Sequence, residues 1–270
     1  MVRAPKRISA RWSLPAWVDA RLWQSADKDG KASAIPTLPD GACHDGAQKQ
    51  GRPVNQTSFD AMRTAMVRSQ LRTTGVNDPT VIDAMAAVPR ERFVDPAARA
   101  AAYADIAPPT GAGRHLLPPM ILGNLLTRAE LDANDRALVV GAATGYAAAV
   151  LAAMGLKVVA LEADAGLAGR AREIAPSGVE VVEGELEQGW PTGAPYDLIL
   201  LDGAIEEVPS SLIAQLKDGG RIAAVIVGED GVPRSAVAVR AGEGFGWDDI
   251  GDAPAAAALP GFRRPRGFRF

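Results

Sequence analysis

The turn GAATG, comprising Gly141, Ala142, Ala143, Thr144 and Gly145, holds the most chemical content in the sequence. A short apolar run at 137–140 leads into it. An alanine-rich stretch at 146–154, opened by Tyr146, leads out, and a second apolar run at 157–161 ends on Glu162. Strand, glycine turn, helix, strand and acid make one unit. The glycines let the backbone approach a ligand, the start of the helix presents unpaired N–H donors, and a carboxylate closing the next strand accepts both hydroxyls of a ribose. The expected occupant is a nucleoside, held by residues 141–146 and Glu162. Glu185 and Asp202 follow later apolar runs, 179–183 and 196–201, and are the further acids expected at the same end of a sheet.

The glycine spacing separates two kinds of nucleoside. A dinucleotide fingerprint requires G-x-G-x-x-G, and here its middle glycine is replaced by Ala143, which crowds a diphosphate. A sulfonium nucleoside carries no phosphate and loses little by the change. Nicotinamide oxidoreduction stays as the less favoured alternative, without a hydride-chemistry constellation to support it.

These residues need a scaffold, and the periodicity supplies one. Apolar runs at 137–140, 157–161, 179–183, 196–201 and 221–227 alternate with helical stretches at 146–154, 165–175 and 208–216, and an LKDGG turn at 217–220 precedes the last run. This alternation predicts an α/β fold, a doubly wound and mainly parallel sheet that binds its ligand at the C-terminal ends of the strands. A helical prelude comes first. One helix is predicted over 59–71 and stopped by Gly75, a second is capped by Asp78 with Pro79 at its first position and ended by Pro89, and a third spans 119–131.

The 270 residues, 47% of them hydrophobic, suffice for one main core. The formal net charge of -3 provides no basic field for nucleic acid or anionic lipid. Residues 137–156 are uncharged for the length of a membrane span, but they are built of Ala and Gly and interrupted at Gly141 and Gly145, so no span is expected. The single cysteine, Cys43, cannot form an internal disulfide, which fits a reducing cytoplasm. Residues 1–57 carry nine Lys+Arg against five Asp+Glu, five prolines and no sustained period. They read as a disordered or non-conserved extension, with Trp12, Trp17 and Trp23 as its only helix-like signal, ahead of a domain over 58–270. That domain divides into prelude and acceptor-side loop (58–131), α/β core (132–228), and C-terminal strands and tail (229–270). No metal site is expected, and the chain is expected to be monomeric.

Short motifs add a resemblance that covers residues 66–228. MVRSQL at 66–71, AVPRERFV at 87–94, AYAD at 102–105, GYAAAVLA at 145–152, ALEAD at 160–164, EQGWP at 187–191, APYDLILLDGA at 194–204 and QLKDGGRI at 215–222 resemble the protein-L-isoaspartate O-methyltransferases in order and spacing. The resemblance implies a Rossmann-like class I methyltransferase fold, S-adenosyl-L-methionine as cofactor, and protein or peptide acceptors bearing isoaspartyl residues. It assigns the cofactor loop to 141–146, the ribose acid to Glu162, and the adenine side to Glu185 with Leu186.

The sequence departs from this family at several positions. Val139 stands where the family has an acid, Ala143 where it has a glycine, and Glu185 where it has an aspartate. Its Thr-Ile-Ser segment beside the methyl acceptor aligns with His115, Leu116 and Leu117, so Leu117 occupies the serine position. His115 is the candidate substitute donor. A different acceptor, or a cofactor-binding protein without catalysis, is the alternative. Leu117→Ser is expected to raise isoaspartyl transfer if the pocket has kept its shape, and to cost stability if Leu117 packs into the core.

Overall fold

The structure, a computed structural model, describes residues 56–264 except residue 243. The readings of residues 1–55, including Cys43 and the three tryptophans, lie outside the described residues.

The prelude begins with α1 (Gln56–Met66), which runs on into a π-helical turn at Val67–Leu71 and a 3-10 turn at Arg72–Thr74 before Gly75 reverses the chain at φ 95°. The single helix expected over 59–71 is therefore regular only as far as Met66. Ser69, Thr73 and Thr74 all donate their hydroxyls to carbonyls four residues back, a competition that accompanies the distorted end. The next helix, α2 (Pro79–Ala87), starts as expected: Asp78 accepts from Thr80 N at 2.7 Å and Val81 N at 3.2 Å, with Pro79 at the first position. A small antiparallel ribbon of β1 (Pro109–Gly111) and β2 (Arg114–His115) follows, then α3 (Pro119–Ala129).

The α/β core contains β3 (Arg136–Val140), α4 (Tyr146–Ala153), β4 (Lys157–Glu162), α5 (Ala165–Ile174), β5 (Val179–Glu183), β6 (Tyr196–Ile205), α6 (Ser210–Ile213) and β7 (Leu216–Val227). Two further strands, β8 (Pro233–Ala241) and β9 (Gly244–Asp252), complete a seven-stranded sheet of order β5-β4-β3-β6-β7-β8-β9. The pairings from β5 through β7 are parallel, and those of β8 and β9 are antiparallel. Because parallel strands are covered on both faces, their residues alternate between two cores. Ala137 and Val139 join the cluster formed with the prelude helices and α4, whereas Leu138 and Val140 join Leu161, Leu186 and Tyr196 on the other face.

Two details differ from the sequence reading. The helix expected over 208–216 is a single turn at Ser210–Ile213, because the chain re-enters the sheet at Leu216 opposite Tyr196 and the Gln215 carbonyl accepts from Tyr196 N at 2.9 Å. The LKDGG segment is an irregularity inside β7 rather than a turn before it, with Gly219 at φ 75° and pairing resumed at Leu198↔Arg221.

The segment at 253–264 crosses the C-terminal end of β6. Ala204 N donates to Ala257 O and Leu259 N to Ala204 O, both at 2.7 Å, and Glu206 N donates to Phe262 O at 2.9 Å. Leu259 and Phe262 are buried against the second core.

Candidate active site

Turn 141–145 lies where β3 ends, and every residue from Gly141 to Val150 is buried. Gly141 at φ 71° and Gly145 at φ 91° occupy the left-handed region that glycine reaches without strain. Ala143 is also left-handed, at φ 49°. Its backbone N–H donates to Glu162 Oε2 at 2.7 Å, a charge-assisted bond that helps offset the strain of about 1 kcal/mol. The glycine turn and the acid are thus joined, as their spacing requires.

Glu162 is only 1% exposed. Its Oε1 accepts from Ala163 N at 2.9 Å and Asp164 N at 3.2 Å, and both oxygens face Arg114 Nη1 at 3.2 and 3.1 Å. Arg114 Nη2 donates to Gly141 O at 2.6 Å. A side chain at Gly141 would meet Arg114 Nη2 at 2.7 Å and the Leu259 methyl, so the ribbon and segment 253–264 both lie over the turn. The site is closed. Two surface depressions, one beside Arg63 and Arg68 and another beside Arg136 and Lys157, do not reach it.

Asp202 follows Leu201, the last residue of β6 that pairs with β3, so it lies inside β6 at the point where that pairing ends, and β6 continues to Ile205. Burial pushes its carboxyl up to about 7 against the opposing pull of Arg114, Arg90 and the Leu117 backbone amide. Asp202 Oδ2 is buried without a hydrogen-bond partner. Glu185 is exposed, and Leu186 beside it is buried.

On the acceptor side, the Leu117 side chain is 2% exposed and packs in the core with Leu116 and the prelude helices. This places the serine-position side chain in apolar packing, where it contributes no polar group. Leu117 instead presents backbone: its carbonyl accepts from Arg90 Nη2 at 2.7 Å. His115 sits in β2, half-buried, with Nδ1 unpartnered. Thr144 and Tyr146 also turn from the ligand side, since the Thr144 hydroxyl donates to Phe93 O and the Tyr146 ring packs edge-on against Phe93 at 5.5 Å.

Arg90 and Arg114 escaped the sequence reading as site residues. Arg90 is fully buried, donates Nε to Ala102 O at 2.7 Å, and lies 4.6 Å from the centre of the Tyr146 ring. Burial lowers its pKa, and the adjacent Tyr146 partly restores it. The signal was in AVPRERFV, a motif whose charged residues interrupt apolar ones: Arg90 ties the acceptor segment to the prelude, and Glu91 accepts from the buried Tyr103 hydroxyl at 2.5 Å.

With this geometry in view, comparisons with known proteins identify the family. Residues 62–243 match the family model described as protein-L-isoaspartate(D-aspartate) O-methyltransferase. The chain belongs to this family of methyltransferases. It is 45% identical over 163 residues to a protein-L-isoaspartate O-methyltransferase of Methylorubrum extorquens, covering 59% of this chain and 72% of that one. It is 39% identical over 168 residues to the protein of the same name from Methanoculleus marisnigri, covering 61% and 76%. Among solved structures, a protein-L-isoaspartate O-methyltransferase superposes with TM-score 0.64 at 23% identity over 74% of this chain and 67% of that one. A structure described as a protein-L-isoaspartate O-methyltransferase from Plasmodium falciparum, in complex with S-adenosyl-L-homocysteine, gives 0.62 at 18% over 74% and 97%. Both share the Rossmann-like fold described above. Segment 253–264 lies beyond the residues matched by the family model.

Proposed function

We propose that this chain transfers the methyl group of S-adenosyl-L-methionine to the side-chain carboxylate of L-isoaspartyl residues in proteins or peptides. The observation that carries the reading is the buried Glu162 carboxylate at the end of β4, hydrogen-bonded to the amide of the glycine turn at Ala143. The donor set suits a nucleoside without phosphate: one acid for the ribose, a turn crowded by Ala143, and Arg114 as the cation bonded to the turn. When bound, the sulfonium group supplies an activated methyl.

The protein's own work is alignment. A carboxylate is already nucleophilic at neutral pH, so the residues of the site position two reactants and exclude water. Glu162 would accept the ribose hydroxyls, the backbone of 141–146 would line the amino-acid moiety, and Leu186 with Glu185 would flank the adenine. The acceptor would enter beside 115–117, where Arg90 holds the Leu117 carbonyl in place. Asp202, unpartnered at Oδ2, is the remaining acid facing this space. A monomeric, cytoplasmic enzyme without a nucleic-acid partner fits the net charge and the single cysteine; among the described residues no helix is long and apolar enough to cross a membrane.

The test is transfer of labelled methyl from S-adenosyl-L-methionine to an isoaspartyl peptide, with the aspartyl peptide as control. Transfer confined to the isoaspartyl peptide supports the reading, and none above background ends it. Leu117 favours a second reading, a different acceptor or cofactor binding without transfer, because no hydroxyl is present at that position. Tight binding of S-adenosyl-L-homocysteine without transfer to the peptide would select it.

A further inference from the structure

Glu162 has no capacity left for a ribose as it stands. A carboxylate offers about four lone-pair positions. Three are taken by the amides of Ala143, Ala163 and Asp164, and Arg114 Nη1 spans both oxygens. The amides belong to the turn and to the start of α5, so they cannot withdraw without dismantling the core. Arg114 can. It sits on the two-residue strand β2, joined to β1 through Gly111, Ala112 and Gly113, three successive residues at positive φ (111°, 47° and 71°). Bidentate capture of a ribose at Glu162 therefore requires Arg114 to leave.

A guanidinium released inside this site needs another anion, because its side chain is 7% exposed and an unpaired buried charge is strongly unfavourable. Asp202 is the other acid nearby, and burial raises its carboxyl to about 7, so it is only partly ionised at neutral pH. A carboxylate brought by a ligand is fully ionised and is the stronger partner, and the guanidinium fork matches carboxylate geometry. We propose that Arg114 is the carboxylate receptor of this site, resting on Glu162 until a ribose displaces it. The proposal rests on the nucleoside reading above. The carboxylate has two possible sources, the amino-acid end of the cofactor and the isoaspartyl acceptor.

Calorimetric titration of the full chain and its Arg114→Gln variant separates these cases. 5′-Methylthioadenosine has the ribose and no carboxylate, so removing the competing guanidinium should tighten its binding roughly tenfold. If the cofactor's carboxylate replaces Glu162 as the partner of Arg114, S-adenosyl-L-homocysteine should gain less than methylthioadenosine, or lose. If the acceptor supplies the carboxylate, both nucleosides should gain equally and the KM for an isoaspartyl peptide should rise about tenfold at saturating cofactor. Arg114→Lys, which keeps the charge and loses the fork, should fall between and carries the test if the glutamine variant does not fold. Equal methylthioadenosine affinity in wild type and variants of matched melting temperature would overturn the proposal. So would a gain in that affinity with no change in either the ratio of the two nucleosides or the peptide KM. Wild-type protein that binds neither nucleoside would instead remove the nucleoside reading itself, and this one with it. Glu162→Gln supplies the complementary control: weaker nucleoside binding in that variant locates the ribose at Glu162 independently of Arg114.

Discussion

The ionisation of Asp202 is opposed by its surroundings, and the opposition has a measurable sign. Its folded-state carboxyl titrates at about 7, above the ordinary 3.8 of an exposed aspartate. Between these values the folded protein binds more protons than the unfolded chain, so its stability falls as pH rises from about 4 to about 7. Asp202→Asn removes the titration. Its melting temperature should exceed that of wild type at pH 8, and the advantage should shrink towards pH 4. A constant difference across this range would mean that the carboxyl is not held neutral by burial. At Leu117 the structure settles the condition left open by the sequence. The side chain is in the core, so Leu117→Ser should cost roughly 2 to 4 kcal/mol, read from denaturant unfolding, without raising transfer. A stable, faster variant would show that the side chain is free to turn towards the acceptor. The glycine turn and the place of Glu162 beside it were legible in the sequence because both are local, fixed by neighbours in a strand-turn-helix unit. Arg90 and Arg114 were not. Nothing in the spacing of Arg114 to Glu162, 48 positions apart, announces that a hairpin brings them together.

At the scale of elements, the sequence located those whose limits are marked by caps or glycines. Asp78 with Pro79 fixed the start of α2, and Gly75 the end of the first helical segment. Where tertiary pairing sets the limit, as at Leu216 opposite Tyr196, the helical period overran. The ribbon β1–β2 was invisible because its strands are too short to have a period. Segment 253–264 is the element whose consequence is easiest to measure. It covers Gly141 with Leu259 and Gly203 with Ala257 O, where a side chain on Gly203 would come within 3.1 Å of that carbonyl. A chain ending at Asp252 loses the burial of Leu259 and Phe262, about 1.5 to 3 kcal/mol for each. It should melt lower and release S-adenosyl-L-homocysteine faster in a stopped-flow chase. Unchanged dissociation would show that the ligand enters by another route.

For the molecule as a whole, Val54–Phe270 is compact by itself, and the matched family residues lie within it. We propose that this unit contains the complete fold. Removing residues 1–53 should leave melting temperature and nucleoside affinity unchanged, and a large fall in either would show that the segment contributes to the domain.

The sheet ends on β9, whose far side has no partner strand among the described residues. Such an edge is a template on which another chain can add, and natural sheets commonly guard it with charge. Here β9 carries Asp248, Asp249 and Asp252, all exposed, beside the edge-to-face rings of Phe245 and Trp247. The aromatic pair gives the strand an adhesive face, and the carboxylates oppose a second copy, although Asp248 is paired with Arg128 and Asp252 lies 3.8 Å from Arg234. We propose that these carboxylates help to keep copies of the chain apart. Replacing all three with asparagine should leave turnover intact while light scattering rises with protein concentration.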